Sequence, residues 1–378
     1  MTDINQTALV AHKRLKGKLE VVQKDPLDAP EKLSIYYTPG VAAVSSHLAE
    51  HPDETRDYTW TNNTVAIVSD GSAVLGLGNI GPRGALPVME GKAMLFKQFA
   101  DVNAVPIVLD TQAPDEIISI VKALAPGFGG FNLEDIKAPQ CFYIENELKK
   151  ALNIPVFHDD QHGTAIVVLA GLINAAKVTG RKLADSKAVV IGAGAAGSAT
   201  AKLMHEYGVR EIIVIDSKGA IYEGRDNLNN DKTYLASITN AQKLKGSLDD
   251  VVAGSDIIIG VSQPGMVTED HIAKMNDNSI VFAMANPVPE IMPDVAQKAG
   301  VAVMATGRSD FPNQVNNALA FPGIFRGALD NKVSHITEKH KVATAEVIAS
   351  LVENPTPTMI IPSVLDDRLV PAIAAVIK

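Results

Sequence analysis

The stretch KAVVIGAGAAGSATAKLMHEYGVREIIVID, from Lys187 to Asp216, decides the fold of this chain. It reads as an apolar strand, a glycine-rich turn, a helix and a second apolar strand that ends in an acid. In such a turn the first glycine permits the bend, the second lets the backbone approach a pyrophosphate, and the third lets helix and strand pack closely. The helix N-terminus offers free amides to the phosphates. The pattern predicts a Rossmann-type dinucleotide-binding unit.

The residues expected to contact the dinucleotide lie in this turn and in three places beyond it. Asp216 stands about 20 residues after the turn, where a carboxylate meets the adenosine ribose. It would repel a 2′-phosphate, which favours NAD, but the nearby Lys218 could pair with such a phosphate and leaves NADP possible. Ligands bind beyond the carboxyl ends of parallel strands, so loops after two later strands should line the same cleft. The predicted set is Gly192, Ala193, Gly194, Ala195, Ala196, Gly197, Asp216, Ser262 and Asn286, where Asn286 has the alternative of merely capping a turn.

A second copy of the glycine pattern, GLGNIG at positions 76–81, provides an internal control. Pro82 follows it at once, the next clear strand comes late, and no acid stands at the expected interval. We interpret this copy as a tight backbone passage near a pocket, since glycine permits conformations closed to other residues.

Composition indicates an ordinary globular enzyme. The chain has 378 residues, of which 46% are apolar, enough for two domains with their own cores. Its net charge of -9 is spread along the chain, and no basic run is present for nucleic acid or an anionic membrane surface. We therefore expect neither nucleic acid nor membrane as a partner.

Three observations favour the cytoplasm. The start, Met1-Thr-Asp-Ile-Asn, has an early acid and no apolar core, so it is typical of neither a signal nor a transit peptide. The longest apolar helix candidate, 165–176, is too short to span about 30 Å of hydrocarbon. Cys141 is the single cysteine, which excludes intrachain disulfides and fits a reducing compartment.

Strands alternate with helical patterns along nearly the whole chain, which predicts an α/β fold with parallel sheets covered by helices. A helix expected near 163–178 leads directly into the dinucleotide unit. We therefore divide the chain into an N-terminal α/β substrate and metal domain, 1–162, and a Rossmann-type domain, 163–378, with a C-terminal helix. The predicted strands are 65–68, 105–109, 155–157, 188–191, 212–215, 257–261, 280–283 and 301–304.

The first half of the chain carries three acidic positions, each just beyond an apolar or glycine-rich segment: Asp70, Glu134-Asp135 and Asp159-Asp160. Neighbouring acids can lean toward one point in a turn but not along a strand. Converging carboxylates repel each other, and a hard divalent cation, Mg²⁺ or Mn²⁺, relieves that repulsion. Two alternatives stay open, a zinc site using His158 and His162 and a solvated helix N-terminus at each acidic pair.

Two further side chains have candidate chemistry. Tyr37 precedes Thr-Pro-Gly, a rigid turn that can present a hydroxyl to a cleft. Lys92 follows Met89-Glu-Gly and is expected in the first turn of a partly buried helix, where burial and the helix dipole lower the amine pKa and favour a neutral base. The alternative for Lys92 is an ordinary surface lysine.

Taken together, these motifs resemble the malic enzyme family, in its short bacterial form. The resemblance runs from about Ser34 to Phe325 and implies oxidative decarboxylation of L-malate to pyruvate and CO₂, by way of oxaloacetate, with reduction of a nicotinamide cofactor. The motifs, in order, are Tyr37-Thr-Pro-Gly-Val-Ala, Gly76-Leu-Gly-Asn-Ile-Gly, Glu-Gly-Lys92, Asn-Leu-Glu134-Asp135, His-Asp159-Asp160-Gln-His-Gly-Thr, the dinucleotide turn, Asn286-Pro and Asn316-Asn317-Ala-Leu-Ala-Phe-Pro-Gly.

The resemblance also implies roles for individual residues. The general base falls on Lys92, with Asp159 orienting or balancing it, and the general acid falls on Tyr37. The metal ligands fall on Glu134, Asp135 and Asp160, and the substrate contacts on Asn286 and Asn317. A homodimer is implied as well.

The sequence departs from the family at one point and leaves two rival functions. Larger members carry an arginine before the glycine-rich segment that clamps a malate carboxylate, where this chain has Ser72-Ala-Val74. The clamp is therefore unassigned, and Arg83 and Arg308 are interpreted as surface residues. The nearer rival is an oxaloacetate decarboxylase of the same fold. The more distant one, a non-catalytic nucleotide sensor, is disfavoured by the combination of Tyr37, Lys92 and the acids.

Overall fold

The computed structural model describes residues 3–74 and 76–378. Met1, Thr2 and Leu75 lie outside that description. Met1 and Thr2 begin the stretch that was inspected for a signal sequence. The described chain forms two mainly parallel sheets with helices packed around them, which confirms the predicted α/β class.

The first sheet has four parallel strands in the order β2-β1-β3-β4. The inner strand β1 is buried along its whole length, as expected for a strand covered on both faces. The carboxyl ends of β3 and β4 lie side by side, because Leu133 pairs with His158. The strands are β1 (Thr64–Ser69), β2 (Asn103–Val108), β3 (Gly130–Leu133) and β4 (Val156–His158).

The second sheet has six strands in the order β10-β9-β8-β5-β6-β7, and only β7 is antiparallel. Its chain order reverses direction at β5, beside the glycine turn, which is where ligands bind in doubly wound folds. The strands are β5 (Lys187–Ile191), β6 (Glu211–Asp216), β7 (Gly219–Ala220), β8 (Ile257–Gly260), β9 (Ile280–Ala283) and β10 (Val303–Thr306).

The eight predicted strands are confirmed to within two or three residues at their ends. Strands β3 and β7 were not predicted. The β3 segment, GFNL, begins with a glycine and contains an asparagine, so its composition indicated a turn, but pairing with strands on both sides makes it a strand.

The helices cover both sheets. They are α1 (Ile4–Leu15), α2 (Pro30–Tyr36), α3 (Val41–Glu50), α4 (Thr55–Tyr58), α5 (Gly81–Ala100), α6 (Pro114–Leu124), α7 (Gln140–Ala151), α8 (Asp159–Thr179), α9 (Ala195–Tyr207), α10 (Asn230–Ile238), α11 (Leu248–Val251), α12 (Glu269–Ala273), α13 (Pro293–Lys298), α14 (Phe321–Asp330), α15 (Glu338–Ser350) and α16 (Leu369–Ala374).

Helix α8 joins the two halves. It begins at Asp159, directly after β4, and ends at the left-handed Gly180, so it is longer than the segment predicted. Among the described helices, α8 is the one that is long and apolar enough to cross a membrane. The expectation that its apolar part is too short to do so was therefore wrong. Most of it is buried inside the protein against α9 and α15, which identifies it as a core helix.

The apolar core is continuous between the halves. One cluster of buried side chains contains residues from β1, α5 and α8 together with residues from β5, β8 and α14. Burial of this kind is the main favourable term in folding. The N-terminal segment is different, because α1, α2 and α3 contain no buried residue.

Candidate active site

Lys92 is buried at the centre of an acidic cluster. Its Nζ donates to Glu134 Oε1 at 2.9 Å and to a carboxylate oxygen of Asp159, and it lies 4.0 Å from the centre of the Phe321 ring. Only 6% of Lys92 is exposed, so the surface-lysine alternative is wrong. The expected place in a first turn is also wrong, because α5 begins at Gly81, with Pro82 tolerated in its first turn, and Lys92 lies in its interior.

The charges in this cluster shift one another's pKa values. Burial acts to lower the pKa of Lys92, but Asp159 and Glu134 outweigh it and raise the pKa above its ordinary value. The expectation that the pKa of Lys92 is lowered was therefore wrong. The direction of the shift depends on two carboxylates, and the sequence did not show that they lie beside Lys92. Burial raises the pKa of Asp159 to about 6, assisted by Glu134 and opposed by Lys92.

The predicted metal ligands lie where β3 and β4 end. Glu134 and Asp135 follow β3, and Asp135 has a φ of +55°, so the chain leaves strand geometry as the two acids require. Asp160 lies in the first turn of α8, and its Oδ2 accepts the backbone N–H of Asp135 at 2.7 Å. Desolvation and Asp159 raise the pKa of Asp160 to about 6, and burial with Asp160 raises that of Glu134.

The donor set fits a hard divalent cation. Glu134 and Asp159 both pair with Lys92, and Asp135 and Asp160 add two further carboxylates to the cluster. A divalent cation would offset this negative charge. Within residues 3–74 and 76–378, however, no three His, Cys, Asp or Glu side chains already lie close enough together to hold a metal ion. Their chemistry suits Mg²⁺ or Mn²⁺, but ligation requires these side chains to turn toward one point.

The zinc alternative has no support in the geometry. His162 uses both ring nitrogens, with Nε2 2.9 Å from Glu145 and Nδ1 3.0 Å from Lys341. His158 ends β4 and is fully buried, with Nε2 3.9 Å from Asp160. Asp70, the third acidic position, accepts from the backbone and hydroxyl of Ser72.

The glycine turn of the second half opens onto a cavity of about 550 Å³. Gly192 has a φ of +112°, and a Cβ there would lie 2.6 Å from the Val261 carbonyl oxygen. A Cβ on Gly197 would lie 1.9 Å from the Gly192 carbonyl oxygen. The cavity is lined by Ile191, Gly192, Ala193, Gly194, Ile215, Asp216, Ser217, Lys232, Val261, Ser262, Gln263 and Met266, while Ala195, Ala196 and Gly197 form the first turn of α9.

Asp216 is held by two cations. Arg225 donates to both of its carboxylate oxygens, at 2.9 and 2.5 Å, and Lys232 Nζ donates at 2.6 Å. Burial acts to raise the pKa of Asp216, but Arg225 and Lys232 hold it well below its usual range. The sequence named Lys218 as the nearby cation, whereas it is the Lys218 backbone N–H that binds Asp216.

The two predicted asparagines lie in different surroundings. Asn317 is close to the start of α8, since a Cβ on Gly163 would lie 1.8 Å from Asp159 Oδ1 and 3.1 Å from Asn317 Cβ. Asn286 is exposed in the loop after β9 and precedes a cis proline. Its carbonyl oxygen lies against Gly76, where a Cβ would be only 2.4 Å away. The GLGNIG segment is thus a tight backbone passage, as interpreted from the sequence.

Tyr37 is not brought to Lys92. It is 65% exposed between α2 and α3, and its hydroxyl makes no hydrogen bond to any residue in the described ranges. The neighbouring Tyr36 hydroxyl, in contrast, donates to Asp25 at 2.8 Å.

Two buried acids were missed by the sequence analysis. Glu290, fully buried, accepts the backbone N–H groups of Ser262 and Ala285 at 2.8 and 2.9 Å and so ties together the two loops of the nucleotide cleft. Glu145 on α7 accepts from the His158 backbone and from the side chains of Gln161 and His162, and so fixes the junction before the acids of α8. Both acids lie in segments whose sequence is typical of an ordinary helix or loop, and only their burial distinguishes them from surface acids.

The arginines considered for a carboxylate clamp lie at the surface. Arg83 is exposed in the first turn of α5. Arg308 pairs with Asp310 and donates to the Pro287 carbonyl oxygen at 2.9 Å, so it supports the loop that carries Asn286.

Comparison with known proteins matches both halves to one family. Residues 16–149 match the model for the malic enzyme N-terminal domain, and residues 161–376 match that for the malic enzyme NAD-binding domain. The chain is 55% identical over 374 residues to a bifunctional malic/malolactic enzyme of Bacillus subtilis, covering 98% of this chain and 91% of that protein. It is 56% identical over 356 residues to an NAD-dependent malic enzyme of Geobacillus stearothermophilus, covering 94% and 74%.

A solved structure gives the same result. The crystal structure of an NAD-dependent malic enzyme from Thermotoga maritima matches with a TM-score of 0.95 and 49% identity, covering 98% of each chain. The match spans both sheets and the acidic cluster between them. This chain belongs to the malic enzyme family.

Proposed function

We propose that this protein catalyses the oxidative decarboxylation of L-malate to pyruvate and CO₂ with reduction of NAD. The carrying observation is Lys92, a lysine buried between two carboxylates at the carboxyl end of one sheet, in a chain whose other sheet forms a nucleotide pocket. Family membership supports the reaction, and so do the names of the relatives. An oxaloacetate decarboxylase is the alternative that the experiment must exclude.

Lys92 is the proposed base for the C2 hydroxyl of malate. Within this cluster it rests as an ammonium, and its hydrogen bond to Asp159 gives the proton a place to go before catalysis. The amine can then accept the hydroxyl proton, and Asp159 and Glu134 stabilise the charge that results. We infer that Asp159 is the partner that orients Lys92.

Glu134, Asp135 and Asp160 are the proposed ligands of Mg²⁺ or Mn²⁺, supported by their all-oxygen donors and crowded charge. A divalent cation held there would supply Lewis-acid stabilisation of negative charge on the substrate, and a bound NAD would supply the hydride acceptor. Asn317, which lies near Asp159, is proposed to orient the substrate, and Asn286 is proposed to contact both substrate and cofactor. Tyr37 is the proposed acid that protonates C3.

The first test measures nicotinamide reduction by ultraviolet absorbance with L-malate and Mn²⁺, comparing NAD with NADP. A parallel assay follows pyruvate formation from oxaloacetate without nucleotide, and a third follows lactate, since one relative is named as malolactic. Malate-dependent NADH formation with pyruvate as product is the expected result. Pyruvate from oxaloacetate, without reduction of either nucleotide, would leave the decarboxylase instead.

A homodimer in the cytoplasm completes the proposal. Closed two-fold symmetry is the commonest arrangement of soluble oligomers, and the three N-terminal helices expose apolar side chains that a second copy would cover. The single, buried Cys141 suits a reducing compartment. Light scattering coupled to gel filtration tests the dimer.

A further inference from the structure

Glu290 is a buried acid that lies between two loops of the nucleotide cleft. One loop follows β8 and contains Ser262, and the other follows β9 and contains Ala285. Glu290 Oε1 accepts the Ser262 N–H at 2.8 Å, and Oε2 accepts the Ala285 N–H at 2.9 Å. Each carboxylate oxygen therefore holds a different loop, and the residue is fully buried.

The carboxyl group is closely packed against the end of β8. A Cβ on Gly260, the last residue of that strand, would lie 2.5 Å from Glu290 Cδ and 2.8 Å from Oε1. A residue without a side chain is needed here to leave room for the acid. The Glu290 carbonyl oxygen also accepts the Val267 N–H at 3.1 Å. The backbone around Glu290 thus fixes where its charge lies.

Within the described part of the chain, Glu290 forms no ion pair with a lysine, arginine or histidine. Asp216, the other acid of this cleft, is paired with two cations. Burial raises the pKa of Glu290, and the N–H groups of Ser262 and Ala285 oppose that shift because they favour the ionised form. Protonation would cost one of these hydrogen bonds, since each oxygen accepts one. The acid is therefore built to carry a negative charge that no side chain neutralises.

The two loops that Glu290 joins lie on the side of the cleft away from Asp216. In the second sheet, β6 carries Asp216 and lies on one side of β5, while β8 and β9 lie on the other. A dinucleotide bound at the glycine turn after β5 spans both sides of this switch point. Asp216 is expected at the adenosine ribose, so the loops after β8 and β9 are expected at the nicotinamide half.

Charge distinguishes the two redox forms of the nicotinamide half. The oxidised ring carries a positive charge, and the ring is neutral after it accepts a hydride. A negative charge buried behind the loops attracts the oxidised form and has little effect on the reduced form. Burial strengthens this attraction, because less water lies between the charges to screen it.

We propose that Glu290 is a positioning residue that strengthens binding of the oxidised cofactor relative to the reduced one, by holding a negative charge behind the two loops at the nicotinamide side. This inference rests on the part of the proposed function in which NAD fills the cleft. Weaker binding of the reduced form favours its exchange for the oxidised form after each turnover.

Glu290→Gln tests the charge of this residue. Glutamine has nearly the same size and shape but is neutral. We expect the ratio of the Kd for NAD⁺ to the Kd for NADH to rise about tenfold. Fluorescence titration measures NADH binding and calorimetry measures NAD⁺ binding, both without malate. The Kd for ADP-ribose, which has no nicotinamide ring, should stay within about threefold of wild type.

A purely structural role for Glu290 predicts a different result. If the acid only ties the two loops together, Glu290→Gln weakens the binding of NAD⁺ and NADH by the same factor. An unchanged ratio of the two Kd values would therefore overturn the proposal, however large the loss of affinity.

Glu290→Asp separates charge from shape in the opposite way. Aspartate keeps the charge but is shorter by one methylene group, so the hydrogen bonds to Ser262 and Ala285 are weakened. Both Kd values should rise, but their ratio should stay within about twofold of wild type. This variant also decides the matter if Glu290→Gln does not fold. A constant ratio supports the proposal, and a raised ratio despite the retained charge overturns it.

Asp256→Asn is the matched control. Asp256 is a buried acid next to the amino end of β8, where it accepts the Lys187 N–H at 2.8 Å. It lies at the opposite end of the strand from the cleft, so its neutralisation should leave the ratio of Kd values within about twofold of wild type. An equal rise in Asp256→Asn and Glu290→Gln would show that the place of the charge does not matter, and would overturn the proposal.

This test and the test of the proposed function can fail separately. A wild-type chain that binds NAD⁺ and NADH but does not oxidise malate would refute the proposed function, while the ratio of Kd values still decides the role of Glu290. A wild-type chain that binds neither form would overturn both.

Discussion

Two acidic sites, one on each sheet, use charge in opposite ways. Around Lys92, several carboxylates lie near a buried ammonium, and burial, assisted by their mutual repulsion, raises the pKa values of Glu134, Asp159 and Asp160. At Asp216, a single carboxylate is shared by two cations, which lower its pKa. The first site has excess negative charge and gains from a cation. At the second site the carboxylate charge is already balanced by Arg225 and Lys232, so this site does not depend on an added cation.

The largest expected effect comes from removing the proposed base of the crowded site. Lys92→Arg keeps the positive charge between Asp159 and Glu134, so the fold is retained, but a guanidinium does not give up its proton in proteins. We expect kcat to fall by about 10²- to 10⁴-fold. Stopped-time assays of NADH formation measure it.

Lys97→Arg is the matched control for that variant. Lys97 lies on the same helix but is exposed, and it pairs with Asp101. Its kcat should stay within about twofold of wild type. An equal loss in both variants would mean that α5 is sensitive to arginine in general and that the crowded site has no special role.

The second effect concerns the divalent cation proposed to bind at the crowded site. Mn²⁺ at about a hundred times its Kd should stabilise the wild-type protein by about 2.7 kcal/mol. Asp160→Asn should weaken Mn²⁺ binding by about tenfold or more, because one charged ligand becomes neutral. Thermal unfolding with and without Mn²⁺ measures both effects, and NAD binding by calorimetry checks that the second sheet is intact. Undiminished Mn²⁺ stabilisation in Asp160→Asn would remove it from the ligands.

The third effect concerns the second of the two sites, at Asp216. Lys232→Gln removes one of the two cations on Asp216, so a 2′-phosphate loses an attractive charge while a ribose hydroxyl does not. The KM for NADP should rise about tenfold, which corresponds to about 1.4 kcal/mol, and the KM for NAD should change little.

Lys218→Gln is the control that the sequence itself suggests. Lys218 was the cation expected to meet a 2′-phosphate, but only its backbone binds Asp216. Its substitution should leave both KM values near wild type. A larger change at Lys218 than at Lys232 would restore the sequence-based expectation.

The smallest effect is on stability at acid pH. Arg225 and Lys232 lower the folded-state pKa of Asp216 below 3.8, the ordinary value, so the stability it contributes is present above that pH and is lost as pH falls below it. Asp216→Asn should therefore unfold more easily than wild type at neutral pH, with the difference narrowing in acid. Urea unfolding at a series of pH values measures it, and a difference that widens in acid would contradict the assignment.

The same comparison explains what the sequence could and could not predict. The nucleotide site was predictable because its chemistry is local: strand, turn, helix and Asp216 lie within 30 residues. The cations on Asp216 were not predicted, because Arg225 and Lys232 approach from a later loop and helix.

The sequence allowed the acids of the crowded site to be grouped, but it did not predict how the charges shift one another's pKa values. Glu134, Asp135, Asp159 and Asp160 could be grouped because each pair follows an apolar or glycine-rich segment, where a turn lets neighbouring carboxylates lean toward one point. The pKa of Lys92 could not be predicted, since its direction depends on which charged groups lie within hydrogen-bond distance after folding. Glu145 and Glu290 gave no sequence signal at all, because an acid is marked as structural only by its burial.

The glycine at position 76 sets a distance between the two halves of the molecule. Its missing side chain lets the backbone of the first half rest against the carbonyl of Asn286 in the second, at a separation that any Cβ would forbid. This contact holds the loop after β9 and the loop before α5 at a fixed separation. A single absent methyl group thus sets how near the loop after β9 can come to the first half of the molecule.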